Sequence, residues 1–172
     1  MLLILSCLDK PAIWGGIVGA WLLVPLILST CYEVFARYLF GAPTIWAFEL
    51  SGMLMGANFL LAAAYALMTS SHIRVEMFYD RFGPRTQAAI EIIGYACFTL
   101  PMLAWLAWAL GDWVAVTIKS KEGTGASAWN PPAWPMRAIL WVSFVLLALQ
   151  VVAEILRNVR KLKAGKAAEP TA

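Results

Sequence analysis

Charge is what this sequence has least of. Of its 172 residues 13% are charged and 62% are hydrophobic, whereas a soluble domain carries about 25% charged residues. Half that charge cannot cover a globular surface in water. A water-soluble enzyme is therefore excluded, and an integral membrane protein is expected. Histidine is nearly absent, His72 standing alone, so a haem held by two imidazoles of this chain is excluded, as is a multi-histidine metal site. Cysteine is sparse as well. Cys7, Cys31 and Cys97 lie far apart without a C-x-x-C pair and read as small apolar residues. No nucleophile–base pair, phosphate loop or metal constellation is found. The basic excess, 13 Lys and Arg against 10 Asp and Glu, sits mostly in the tail, not in a patch suited to nucleic acid.

What the chain does have is long apolar runs and nine tryptophans, a residue that concentrates at membrane–water boundaries. A membrane-spanning helix needs about 20 mostly apolar residues. Residues 11–32 form one such run, extendable to Tyr38. Residues 50–71 form a second, 92–111 a third, and 134–156 a fourth, with Arg137 and Glu154 near its ends. Lipid forces backbone groups to pair within the chain, so these runs are predicted to be helices. The expected fold is an all-α integral membrane protein of four transmembrane helices over residues 1–163, followed by a disordered tail over 164–172. Residues 1–8 read as an uncleaved lead-in to the first helix. Pro25 and Pro101 are expected to kink helices 1 and 3. Gly41-Ala42-Pro43 makes a tight break, Gly83-Pro84 opens helix 3, and residues 119–135 form the one sizeable polar loop.

Orientation follows from the distribution of Lys and Arg. With four spans, the termini share a side with the loop between helices 2 and 3. That side holds nine basic residues: Lys10, Arg74, Arg81, Arg85, Arg157, Arg160, Lys161, Lys163 and Lys166. The other side holds four: Arg37, Lys119, Lys121 and Arg137. Both termini are therefore expected in the cytoplasm. After helix 2, Ile73, Met77 and Phe78 share a face from which Arg74, Asp80 and Arg81 are largely excluded. This predicts a short segment lying in the membrane surface, with His72 as a boundary residue. Arg157, Arg160, Lys161 and Lys163 read as contacts to anionic lipid headgroups.

The charged residues of the spans sit near their ends. Glu33 and Arg37 are four apart and share a helix face; Glu49 follows just past Trp46. Glu33 lies about 12 Å from the bilayer centre at ~1.5 Å per residue, which is off the midplane where a coupling carboxylate is expected. Arg37 is expected to serve both Glu33 and Glu49. The group either fixes the hairpin, with Trp46 as anchor, or presents a contact to another subunit. Gly15 and Gly19, and Gly52 and Gly56, are spaced for close helix approach. Asn58 inside helix 2 needs a partner on another helix, in this chain or beyond it.

Three stretches, in this order and spacing, resemble the small membrane subunit of tripartite ATP-independent periplasmic (TRAP) transporters. They are Glu33-Val34-Phe35-Ala36-Arg37-Tyr38-Leu39-Phe40-Gly41, Trp46-Ala47-Phe48-Glu49-Leu50 and His72-Ile73-Arg74-Val75-Glu76. Trp129-Asn130-Pro131-Pro132-Ala133-Trp134-Pro135 is similar to the family's lead into helix 4. The resemblance implies a non-catalytic subunit of the bacterial inner membrane. Its implied partners are a large membrane subunit of about twelve helices, a periplasmic binding protein and membrane lipids; no nucleic acid is expected. Organic anions, usually carboxylates, would cross with sodium through the large subunit, and this chain would hold no cofactor. Carried across, Glu33, Arg37, Trp46 and Glu49, with Gly52, Gly56 and Asn58, would brace the hairpin or its subunit contact. Lys119, Lys121, Trp129 and Trp134 would lie near the docking side for the binding protein. Two other classes fit the composition. A self-sufficient four-helix exporter needs a carboxylate nearer the membrane centre than Glu33 or Glu49. A redox-complex anchor needs a second haem ligand besides His72.

Overall fold

A computed structural model describes residues 2–69 and 83–167. They form α1 (Leu2–Leu39), α2 (Ala47–Met68), α3 (Pro84–Gly94), a π-helical turn π1 (Tyr95–Thr99), α4 (Leu100–Ser120) and α5 (Trp134–Ala167). The segment α3–π1–α4 is one continuous span, so four helices are long and apolar enough to cross a membrane. All four expected spans are present. Three run past their apolar windows, because lipid-crossing length is set by hydropathy while the helix itself continues until a breaker stops it. Thus α1 begins near the chain start and α5 continues to Ala167, into the stretch expected to lack order. The surface segment predicted after helix 2, with His72, lies outside the described residues.

The hairpin of α1 and α2 is built on small residues. Along α1 the residues turned inward are Ala12, Gly15, Gly19, Leu22, Leu26, Ser29, Glu33 and Ala36, each buried or half-buried. They recur at alternating steps of three and four, the seam of a left-handed helix pair. At Gly15 an added Cβ would sit 3.1 Å from the Leu61 carbonyl, and at Gly19 it would sit 3.3 Å from the Asn58 carbonyl. The backbones are close enough that Asn58 Nδ2 donates to the Gly19 carbonyl at 2.7 Å. That bond places the mid-helix amide against α1 of the same chain.

Packing is otherwise organised by α5. It touches α1, α2, α3, π1 and α4, while the third span finds no other substantial neighbour among the described residues. Leu67 of α2, Leu103 of α4 and Val151 of α5 meet in a buried cluster. That cluster lies toward the end carrying the chain's termini, called here the terminal end. Toward the opposite, loop end, α2 and α4 stand apart.

Proline has different consequences in the two helices. α1 runs without interruption past Pro25, and Ser29 and Thr30 hydroxyls both bond the Leu26 carbonyl just beyond it. In the third span the irregularity is π1, directly before Pro101. Pro101 has no N–H for the Cys97 carbonyl four residues back, and its ring crowds that oxygen. The chain widens instead: the Leu100 N–H bonds the Tyr95 carbonyl, five residues back. Thr99 Oγ1 adds a bond to the Gly94 carbonyl at 3.3 Å.

Candidate functional site at the loop end of the bundle

Glu33 organises the turn between α1 and α2. Its carboxylate accepts from Arg37 Nε at 2.9 Å and from Arg37 Nη2 on one oxygen. Its other oxygen accepts from the Thr44 backbone N–H at 2.9 Å and from the Thr44 hydroxyl. The turn itself uses Gly41 at φ +61°, a left-handed conformation that glycine adopts without steric cost. Tyr32 and Trp46 stack beside it, with ring centroids 5.7 Å apart.

Glu49 does not join this group. It occupies the first turn of α2, where the helix dipole favours an acidic side chain. Its two oxygens accept from the hydroxyls of Thr124 and Ser127. Arg37 therefore serves Glu33 alone, and the expected three-residue cluster is divided. The physical reason is reach: Arg37 is spent on its own helix turn, while the loop after α4 folds over the start of α2 and brings two hydroxyls onto Glu49.

That loop is ordered by its own backbone. Gly123 and Pro132 form an antiparallel bridge, flanked by Thr124 N–H to Pro131 carbonyl and Ala133 N–H to Glu122 carbonyl, each 3.0 Å. Asn130 adopts φ 42° and Gly125 φ 66°, and the Asn130 side-chain oxygen accepts from the Gly125 N–H at 2.8 Å. Arg137, at the start of α5, bonds Glu122 at 2.8 Å and the Thr117 hydroxyl. Its guanidinium also lies 4.0 Å over the Trp113 ring. Lys119, Lys121, Trp129 and Trp134 are all exposed around this loop.

Between α2 and α4, beneath the loop, opens a cleft of about 390 Å³. Gly52 and Met53 line one side, Trp113 the other, and Met136, Arg137 and Leu140 the back, with Glu49 at its upper end. A second cleft of about 380 Å³ lies on the other side of Glu49, lined by Leu26, Phe48 and Met55. Gly52 and Ala126 border both. A Cβ added at Gly52 would meet nothing within 4 Å, whereas one at Gly56 would meet the Met136 methyl at 2.6 Å. Of the two small-residue positions, only Gly56 is used for packing within the chain.

The terminal end holds a polar network that the sequence reading missed. Arg157 donates to both oxygens of Asp9 at 2.6 Å and to Glu154. Gln150 Nε2 reaches Asp9 at 3.4 Å, and Asn158 Nδ2 donates to Glu91 at 2.6 Å. Gln150, Glu154 and Asn158 are all buried. Their spacing of four along α5 is a polar stripe inside an apolar helix, and that signal was available in the sequence. Arg157, expected at lipid headgroups, is instead engaged in this network, because one turn of helix sets it beside Glu154 and opposite α1. Arg160 is half-buried, and the side chains of Lys161 and Lys163 lie outside the described residues. Among the described residues no three His, Cys, Asp or Glu side chains stand close enough to share a metal ion.

Comparison with known proteins fits this arrangement. Residues 26–161 match the family model of the tripartite ATP-independent periplasmic transporters, DctQ component. The chain is also similar to the isethionate TRAP transporter permease protein DctMQ of Oleidesulfovibrio alaskensis, at 25% identity over 154 residues. That match covers 88% of this chain and 24% of the relative, so the chain spans about a quarter of the relative's length. With its four spans and a family match covering most of its length, the chain belongs to the DctQ component family of tripartite ATP-independent periplasmic transporters.

Proposed function

We propose that this chain is the non-catalytic small permease subunit of a sodium-coupled, binding-protein-dependent transporter for organic anions, carboxylates among them. In this reading it braces a large membrane subunit, which carries the translocation route and the sodium sites. Its loop end faces the periplasm of the bacterial inner membrane and helps to dock the binding protein. Both termini lie in the cytoplasm.

The observation that carries the reading is the placement of charge. Residues 11–32, 50–68, 92–111 and 138–153 contain no ionisable Asp, Glu, Lys or Arg. At ~1.5 Å per residue these stretches are about 24 to 33 Å long, close to the hydrocarbon thickness. Four carboxylates near their ends are bonded within the chain: Glu33 to Arg37 and Thr44, Glu49 to the loop, Asp9 and Glu154 to Arg157. Ionisable groups near the middle of a span mark routes for ions or anions. A brace needs apolar flanks and rigid ends. The name of the relative joins the letters M and Q in one protein four times this length, which supports a long-lived association with a larger partner. The name also specifies isethionate, an organic anion.

The test is reconstitution. The chain, the large subunit and the binding protein together should give sodium-dependent uptake into proteoliposomes, and the chain alone should give none. The chain should also co-purify with the large subunit in mild detergent. Uptake by the chain alone would overturn the proposal, as would a fully active large subunit without it.

A further inference from the structure

We infer that the large subunit places a lysine or arginine side chain in the cleft beside Glu49, and that this ion pair is a principal contact between the two subunits. The inference rests on the proposed function for the identity of the partner. Its physical basis is the contrast between Glu49 and the carboxylates Glu33, Asp9 and Glu154. Glu33 has Arg37, and Asp9 and Glu154 share Arg157. Glu49 is buried, yet its partners are two neutral hydroxyls, and no Lys or Arg of the described residues pairs with it. Arg137 borders the same cleft but is held by Glu122, Thr117 and the Trp113 ring. A buried carboxylate without a counter-charge is costly, and an ionic partner from outside relieves that cost.

The shape of the cleft selects the kind of partner. Its walls are apolar, formed by Met53, Met136 and Leu140, and its one uncompensated charge is negative. A lysine or arginine has a matching form, an apolar stem carrying a cationic head. A lipid tail would cover the walls and leave the charge unanswered, and a phosphate headgroup would be repelled by it. The depth suits a membrane partner, since the cleft borders the first turns of α2 inside a span. Gly52 keeps the space open: it borders the cleft, and a Cβ added there would meet nothing within 4 Å.

Two substitutions separate assembly from folding. Glu49→Gln retains an acceptor and a donor for Thr124 and Ser127 while removing the charge. Gly52→Leu fills the cleft and replaces a helical glycine with a better helix former. The full chain is co-expressed with an affinity-tagged large subunit, and the amount retained in mild detergent is measured beside the melting temperature of the chain alone. Gly52→Leu and Glu49→Lys are expected to cut retention about tenfold or more, and Glu49→Gln several-fold. Gly52→Leu should leave the melting temperature unchanged or raised. A photo-crosslinking residue at position 53 should capture a peptide of the large subunit containing Lys or Arg. Reversing that residue to Glu should restore retention of Glu49→Lys. Wild-type retention by Gly52→Leu and Glu49→Gln overturns the inference and leaves the proposed function standing, and so does crosslinking at position 53 only to lipid or to peptides lacking Lys and Arg. Failure of the wild-type chain itself to retain the large subunit overturns both.

Discussion

At the terminal end, α1 and α5 are drawn together by opposite charges. Arg157 grips Asp9 with two bonds and Glu154 with a third. At the loop end, the connection between α2 and the loop depends on hydroxyls meeting Glu49. The first arrangement sets one cation between two carboxylates of the same chain and encloses Gln150 and Asn158, whose side-chain oxygens find no partner among the described residues. The second leaves one negative charge facing an apolar cleft. The same chain thus closes upon itself at one end and stays available at the other. An end whose carboxylates share a cation of their own chain has stability as its task, whereas a buried carboxylate without one is where a charged neighbour is expected.

The largest predicted effect tests the closed end. Arg157→Ala leaves Asp9 and Glu154 without their cation, and a loss of about 3 kcal/mol is expected. Unfolding of the purified chain by SDS titration, followed by circular dichroism, measures it. A loss no greater than that of an exposed pair would erase the contrast between the ends. Next comes the hairpin seam. A Cβ at Gly16 would lie 2.8 Å from the Tyr65 ring, so Gly16→Ala should cost about 1–3 kcal/mol through overpacking. The same titration reads it. Asn58→Leu removes the bond to the Gly19 carbonyl, and about 1 kcal/mol is expected, as for other interhelical hydrogen bonds in membranes. A thermal melt in detergent is sufficient to see that change. The smallest effect is expected at the loop end. The Arg37 side chain is 52% exposed, and Glu33 keeps both Thr44 bonds without it. Arg37→Ala should therefore cost under about 1 kcal/mol. A cost near that of Arg157→Ala would show that both ends are held by charge after all.

Much of this architecture was legible in the residues alone, and the reasons differ by feature. The four spans were visible because hydropathy is a property of continuous runs. Gly15 and Gly19 were readable as a close-approach pair because helical spacing fixes which residues share a face. The partner of Glu49 was not readable. Thr124 and Ser127 lie far along the chain, and nothing local says that the loop folds over α2. Nearness in sequence favoured Arg37 as its partner, and that was misleading. Arg157 was obscured by its neighbours, since it opens a basic run and only the helical phase of Gln150, Glu154 and Asn158 sets it apart. The π turn escaped as well. Proline announces a disturbed helix, but whether the chain bends or widens depends on the groups available to take up the released carbonyls.

Among the described residues the third span takes its main contacts from α5, and this orders the events of biosynthesis. The α1–α2 hairpin can zip together as soon as its second half leaves the ribosome, since its seam is internal to it. The third span has no companion of that extent among the described residues and must wait in the bilayer until the last helix is made. A nascent chain halted before Trp134 should therefore contain a settled hairpin beside an undocked helix, and quality-control proteases that survey the membrane would meet the third span first.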